Sequence, residues 1–177
     1  MKENRFCAFL RGVNVKGTSM KMAEVCNVFA GAGMQNVSSV LATGNILFTS
    51  EKSVSELKNL LEKAMSEHFN YDAFLFIKTK KEVSEILKNN PFEKSDELHT
   101  YVFITTDGTE NLLLDEFNKG GKSENEKATI VDKTFYWQVQ KGSTLDSDFG
   151  KILGRKALKD KITSRNINTF EKIVNKL

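Results

Sequence analysis

Proline occurs once in the 177 residues, at Pro91, and cysteine and histidine twice each. With so little proline, no low-complexity tract and no internal repeat in the sequence, the chain has an ordinary globular composition. Two cysteines do not make a disulfide framework. Cys7 falls in the first predicted strand and Cys26 on the apolar face of the first predicted helix, so both are expected as buried, reduced thiols. His68 and His99 have no cysteine, histidine or carboxylate at ligand spacing, so the expectation is metal: none, and no cofactor. No G-x-S-x-G elbow and no recognisable nucleophile–base pair is present. No apolar run approaches the roughly 20 residues that cross a bilayer, so no membrane partner is expected. The opening Met1-Lys2-Glu3-Asn4-Arg5 lacks the apolar core of a signal peptide, which makes a cytoplasmic protein the expectation.

What the chain does contain is 40% hydrophobic and 28% charged residues, enough for one domain or two small subdomains with a real core. Its charge is uneven. Residues 151 to 177 hold eight Lys/Arg against Asp160 and Glu171, an excess of six, so the first 150 residues carry −3 within the total of +3. A basic end favours phosphate-rich partners such as nucleic acid, and it equally makes a solvated helix face.

The first half alternates clearly. Arg5 to Leu10 is an apolar strand; Met22, Val25, Cys26, Phe29 and Ala30 recur at helical spacing up to Gly31 and Gly33. Val37 to Leu41 and Ile46 to Thr49 read as strands around the Thr43-Gly44-Asn45 turn. Ser53-Val54-Ser55-Glu56 is a capping box opening an amphipathic helix, and Ala73 to Ile77 is a further strand. The order is βαββαβ, the arrangement of ferredoxin-like folds. Its fourth strand belongs at a sheet edge, where so apolar a sequence needs cover, and the second half is the expected cover.

That half reads as a short helix around Val83 to Leu87, a strand from Tyr101 to Thr105, a helix from Glu110 to Phe117, and a hairpin of Ala128–Val131 with Phe135–Val139. Phe135, Trp137 and Val139 share one face and Tyr136, Gln138 and Gln140 the other, so Trp137 is expected in the core. Helices are expected from about Asp148 to Leu158 and from Asn168 or Thr169 onward, with Asn168 and Glu171 at capping-box spacing. The expected fold is α+β: a ferredoxin-like subdomain over 1–79 and a second α+β subdomain over 80–177, with a β-hairpin and C-terminal helices.

The segment with most chemical content is Phe9-Leu10-Arg11-Gly12-Val13-Asn14-Val15-Lys16-Gly17-Thr18-Ser19, a strand running into a loop with two glycines before a helix. Strand, glycine-rich loop and helix start together form a usual anion site. Gly12 and Gly17 have Walker A spacing, but Thr18 and Ser19 stand where Lys and Ser/Thr are required, and the topology is not a parallel P-loop sheet. That form of nucleotide hydrolysis is excluded. Arg11, Lys16 and Lys21 remain as gathered cations, Lys21 in a first helical turn where the macrodipole disfavours it. Near the C-terminus, Gly150 to Lys161 superficially resembles half a helix-turn-helix, but the next helix offers Asn168, Thr169 and Glu171 in its first turn, a weak reading head.

Several motifs agree with one family. Phe9 to Gly17 resembles an "LLRGINVGG" signature, Lys21-Met22-Ala23-Glu24-Val25 the helix after it, Thr43 to Phe48 an "SGNVVF" hairpin, Asn90-Pro91-Phe92 an "NPF", and Thr163 to Thr169 a "TTRNWNT". The chain thus resembles the domain-of-unknown-function family numbered 1697, with Ile167 where the pattern has Trp. The resemblance implies a ferredoxin-like half joined to a second α+β half, and it implies no reaction. Its polar positions here are Arg11, Asn14, Lys21, Asn45, Arg165, Asn166, Asn168 and Thr169. They either satisfy loop backbone groups or converge on a ligand. Two readings follow: ligand binding through Arg11, Asn14, Lys16, Lys21, Asn45, Arg165 and Asn166 to a phosphate- or carboxylate-bearing small molecule, or nucleic-acid binding through the basic end. An enzyme acting on a small phosphorylated or acyl substrate ranks below binding.

Overall fold

The structure is a computed structural model in which residues 4–13 and 19–177 are described. The chain forms two compact units, Met1–Glu85 with Glu171–Leu177, and Ile86–Phe170.

In the first unit β1 (Asn4–Leu10), α1 (Met22–Gly31), β2 (Gln35–Ser39), β3 (Asn45–Ser50), α2 (Val54–Phe69) and β4 (Leu75–Thr79) follow one another, and α3 (Lys80–Lys88) begins directly after β4. The sheet order is β2-β3-β1-β4 with every pairing antiparallel, as the βαββαβ pattern predicts. Phe6, Ala8 and Leu10 of β1 join a core completed by Val25 and Phe29 of α1 and by Leu57, Leu61 and Met65 of α2. Helix α2 starts where its capping box sits: the Glu56 N–H donates to Ser53 Oγ at 3.3 Å, and Glu56 Oε2 accepts from the Ser53 N–H at 2.9 Å. It stops at Asn70, which turns left-handed at φ +51°. Cys7 is fully buried and Cys26 half-buried.

β4 does lie at an edge, and the first unit closes much of that edge itself. Glu62 Oε1 accepts from the Leu75 N–H at 2.8 Å, Lys58 Nζ donates to the Leu75 carbonyl at 2.8 Å, and Lys58 and Glu62 also pair with each other. Four residues on, Glu82 Oε2 accepts from the Thr79 N–H at 2.8 Å. Side chains thus occupy backbone groups that an intruding strand would need.

The second unit repeats the plan. β5 (Leu98–Thr105), α4 (Thr109–Lys119), β6 (Lys127–Val131), β7 (Thr134–Gln140), α5 (Asp148–Ile152), a 3-10 turn (Lys156–Leu158) and β8 (Ile162–Asn166) give the order β6-β7-β5-β8, antiparallel throughout. Position for position this is the order of the first sheet. The repeat is one of topology, with no counterpart visible in the sequence.

Three expectations change here. The helix expected over 148–158 ends at Ile152 and gives way to the 3-10 turn, Gly154 lying between them. Residues 162–166, expected only as a connection between helices, form β8 against β5, which excludes a helix-turn-helix. The last helix, α6 (Ile167–Lys176), starts one residue earlier than expected, and Asn166 rather than Asn168 caps it, its Oδ1 accepting from the Asn168 N–H at 2.9 Å.

Trp137 is in the core as expected, packed among Phe103, Phe135 and Phe149. Its indole N–H donates to Glu126 Oε1 at 2.9 Å, both groups buried. On the reverse face of β7, Tyr136 and Gln138 are buried too: Tyr136 donates to the Ile86 carbonyl at 2.7 Å and the Gln138 amide to Thr100 Oγ1 at 3.1 Å, while Gln140 is exposed. Trp137→Phe should cost about 2–3 kcal/mol, because it leaves the buried Glu126 Oε1 without its indole donor while Ser123 still serves Oε2. Glu126→Gln, which keeps an acceptor, should cost less; urea unfolding checks both.

Gly44 tests the first unit. Its φ is +76°, and a Cβ there would lie 2.6 Å from Val13 Cγ2 and 3.0 Å from Leu10 Cβ. Gly12 has a similar φ of +79° with nothing within 4 Å of a Cβ. Gly44→Ala should therefore lose about 2–4 kcal/mol, from backbone strain plus overpacking, and Gly12→Ala about 1–2 kcal/mol from backbone strain alone.

Candidate functional site

The segment after β1 is anchored at both ends. The Leu10 N–H donates to the Gly44 carbonyl at 2.8 Å and the Arg11 N–H to the Phe74 carbonyl at 3.2 Å, so the strand end is tied to the turns on either side of it. Gly12 turns left-handed, and Val13 and Met20 are both buried in the first unit's core. Asn14 and Lys16, two of the expected site residues, lie outside the described residues. Arg11 is half-buried between these anchors.

Lys21 is exposed and occupies the N-cap of α1, its carbonyl accepting from the Glu24 and Val25 N–H groups at 3.0 and 3.1 Å. A lysine has no acceptor with which to cap a helix. Lys21 makes no side-chain cap bond to α1, whose first turn carries Glu24 as its acid. A cation at the N-cap adds positive charge to the positive end of the helix dipole.

Asn45 plays a different part. It is fully buried, and its amide nitrogen donates to the Val40 carbonyl and to Thr43 Oγ1, each at 2.9 Å. Both amide hydrogens serve the turn that carries Gly44 against Leu10 and Val13. Arg165 and Asn166 belong to β8 in the second unit. Arg165 Nη1 donates to Thr163 Oγ1 and the Ser164 carbonyl, each at 2.8 Å; the Asn166 amide meets His99 Nδ1 at 2.9 Å, and its oxygen caps α6. Arg11, Lys21 and Asn45 thus belong to the first unit, Arg11 directly after β1, Lys21 at the N-cap of α1 and Asn45 at the start of β3.

The two units connect their first strand and helix very differently. Between β5 and α4 lie three residues, Thr106 to Gly108; between β1 and α1 lie eleven, Arg11 to Lys21. The topology is identical, and in the second unit three residues suffice for this connection.

Other groups with chemical potential have structural roles. His68 Nε2 lies 2.9 Å from Glu24 Oε1, linking α2 to α1. Burial pushes the Cys26 thiol up, against a Ser39 hydrogen bond and the Lys176 charge, which disfavours a thiolate nucleophile. Asp148 opens α5 behind the Ser147 cap and accepts from the Gly121 N–H at 3.0 Å. Among the described residues, no group of three or more His, Cys, Asp or Glu is placed to hold a metal ion, and no helix is long and apolar enough to cross a membrane.

No curated protein matches the chain. Among solved structures it is similar to the conserved bacterial protein SP0830 from Streptococcus pneumoniae, at 23% identity and a TM-score of 0.79, with 99% of each chain covered. That likeness extends the two-unit fold to a second protein. Residues 3–136, which include the anchored β1–α1 connection and the Gly44 turn, match the model of the Protein of unknown function (DUF1697) family, and the chain belongs to that family.

Proposed function

We propose that this is a cytoplasmic protein that binds a small phosphate- or carboxylate-bearing ligand at the Arg11–Lys21 segment. The observation that carries the reading is the eleven-residue connection where the sister unit uses three. Long connections held on a rigid scaffold are where binding residues concentrate. Val13 and Met20 anchor this one in the core. Arg11 and Lys21 bring cations to its two ends, and the N-terminus of α1 adds N–H groups of the same polarity. Asn14 and Lys16 belong to the same segment, and Asn45 supports it through the turn.

A thermal-shift screen of nucleotides, sugar phosphates and small carboxylates should identify a stabilising ligand. Arg11→Ala should abolish that stabilisation while leaving the unliganded melting temperature within about 2 °C, as expected for a partly exposed side chain. A screen without hits would remove the reading.

One observation favours a second reading, nucleic-acid binding. Lys151, Lys156 and Lys161 are exposed around the 3-10 turn of the second unit. If this face binds phosphate backbones, filter-binding affinity for duplex DNA or RNA should fall steeply with salt. Absence of binding at low salt would end it.

A further inference from the structure

At the other end of β1, about 20 Å from Arg11 along the strand, residues of the first unit line a pocket of about 450 Å³. The lining residues are Asn4, Arg5, Thr79, Lys80, Lys81 and Ser84. Three are cations and none is an acid. Arg5 comes from β1, whereas Lys80 and Lys81 occupy the first turn of α3, where the helix dipole disfavours positive charge. Such local conflicts are more common at functional positions than elsewhere.

The nearby acids do not resolve the conflict. Glu82 is engaged in capping α3: its carboxylate accepts from the Thr79 N–H at 2.8 Å and the Thr79 hydroxyl at 2.7 Å, and pairs with Lys78 at 3.1 Å. Burial alone would push its pKa up, but these hydrogen bonds and the Lys78 charge hold it below the ordinary value, so it stays ionised and occupied. Glu85 stands 3.8 Å from an 84% exposed Lys81, a pair of little energetic weight.

Arg5 and Lys80 do share one partner. Arg5 Nη1 and, at 2.7 Å, Lys80 Nζ both donate to the main-chain oxygen of Leu177. A guanidinium and an ammonium from separate elements converging on one oxygen is the arrangement by which proteins hold oxyanions.

We propose that this pocket is a second anion site that binds a phosphate dianion, one oxygen of which replaces the Leu177 oxygen between Arg5 and Lys80 while Lys81 meets another. Phosphate is favoured over a carboxylate because three cations line the pocket with no acid among them, and a phosphate carries up to two negative charges near neutral pH. Binding here releases Leu177 from Arg5 and Lys80, so the ligand and the residue after α6 compete for the same two cations.

The test is a titration of the full-length protein with inorganic phosphate at constant ionic strength, followed by amide NMR shifts. Saturable shifts are expected at Arg5, Lys80, Lys81 and Leu177. Arg5→Gln with Lys80→Gln should weaken binding at least tenfold. Ser84→Glu, which adds a carboxylate to the pocket without altering the Leu177 contacts, should do the same and serves if the double variant fails to fold. Arg11→Ala should leave these shifts unchanged, which separates this site from the Arg11–Lys21 segment. Shifts that never saturate, that survive in Ser84→Glu, or that disappear with Arg11→Ala would overturn the proposal.

Discussion

The double pairing of β1 is the constraint on which the first unit depends. It bonds to β3 on one side and β4 on the other, and every side chain from Phe6 to Leu10 is withdrawn from water. A strand so placed cannot slip by one residue without turning Phe6, Ala8 and Leu10 out of the helix-covered core. Its two ends are therefore fixed points. Arg11 follows one and Arg5 is the second residue at the other, and each cation comes from a position that the sheet holds in place. The precision of any anion site at either end comes from β1 rather than from the loops.

Much of this was readable from the sequence because the responsible signals are local. The Ser53–Glu56 box and the 3.6-residue recurrence of Leu57, Leu61 and Met65 define α2 within one helix, and both appear in the structure as expected. The alternation in β7 placed Trp137 correctly, but it described Tyr136 and Gln138 as the opposite face without showing that these two are buried as well. β8 was missed for a physical reason. Ile162-Thr163-Ser164-Arg165-Asn166 has little apolar content, and its strand state comes from pairing with β5, more than fifty residues earlier in the chain. With β8 unseen, the matching topology of the two units was unseen too.

The site residues divide in the same way. Arg11 and Lys21 could be picked out because glycines and a helix start surround them. Asn45 could be picked out as a turn residue, but that both its amide hydrogens remain inside the turn requires coordinates. The grouping of Arg5 with Lys80 and Lys81 left no trace in the sequence. Those residues are some 75 positions apart, and each alone is an ordinary surface cation.

The burial of Trp137 has a practical side. It is the sole tryptophan of the chain, and it lies in the core of the second unit, against Phe149 and the Glu126 carboxylate. The first unit contains Tyr71 alone among its Trp and Tyr residues, since Tyr101 and Tyr136 also fall in the second. Tryptophan emission is thus a private reporter of one unit, while circular dichroism records both. A substitution at Gly44 alters the dichroism in either case, but it shifts the emission midpoint only if the two units unfold as one cooperative body. The chain carries, without labelling, the means to measure how tightly its two similar halves are thermodynamically joined.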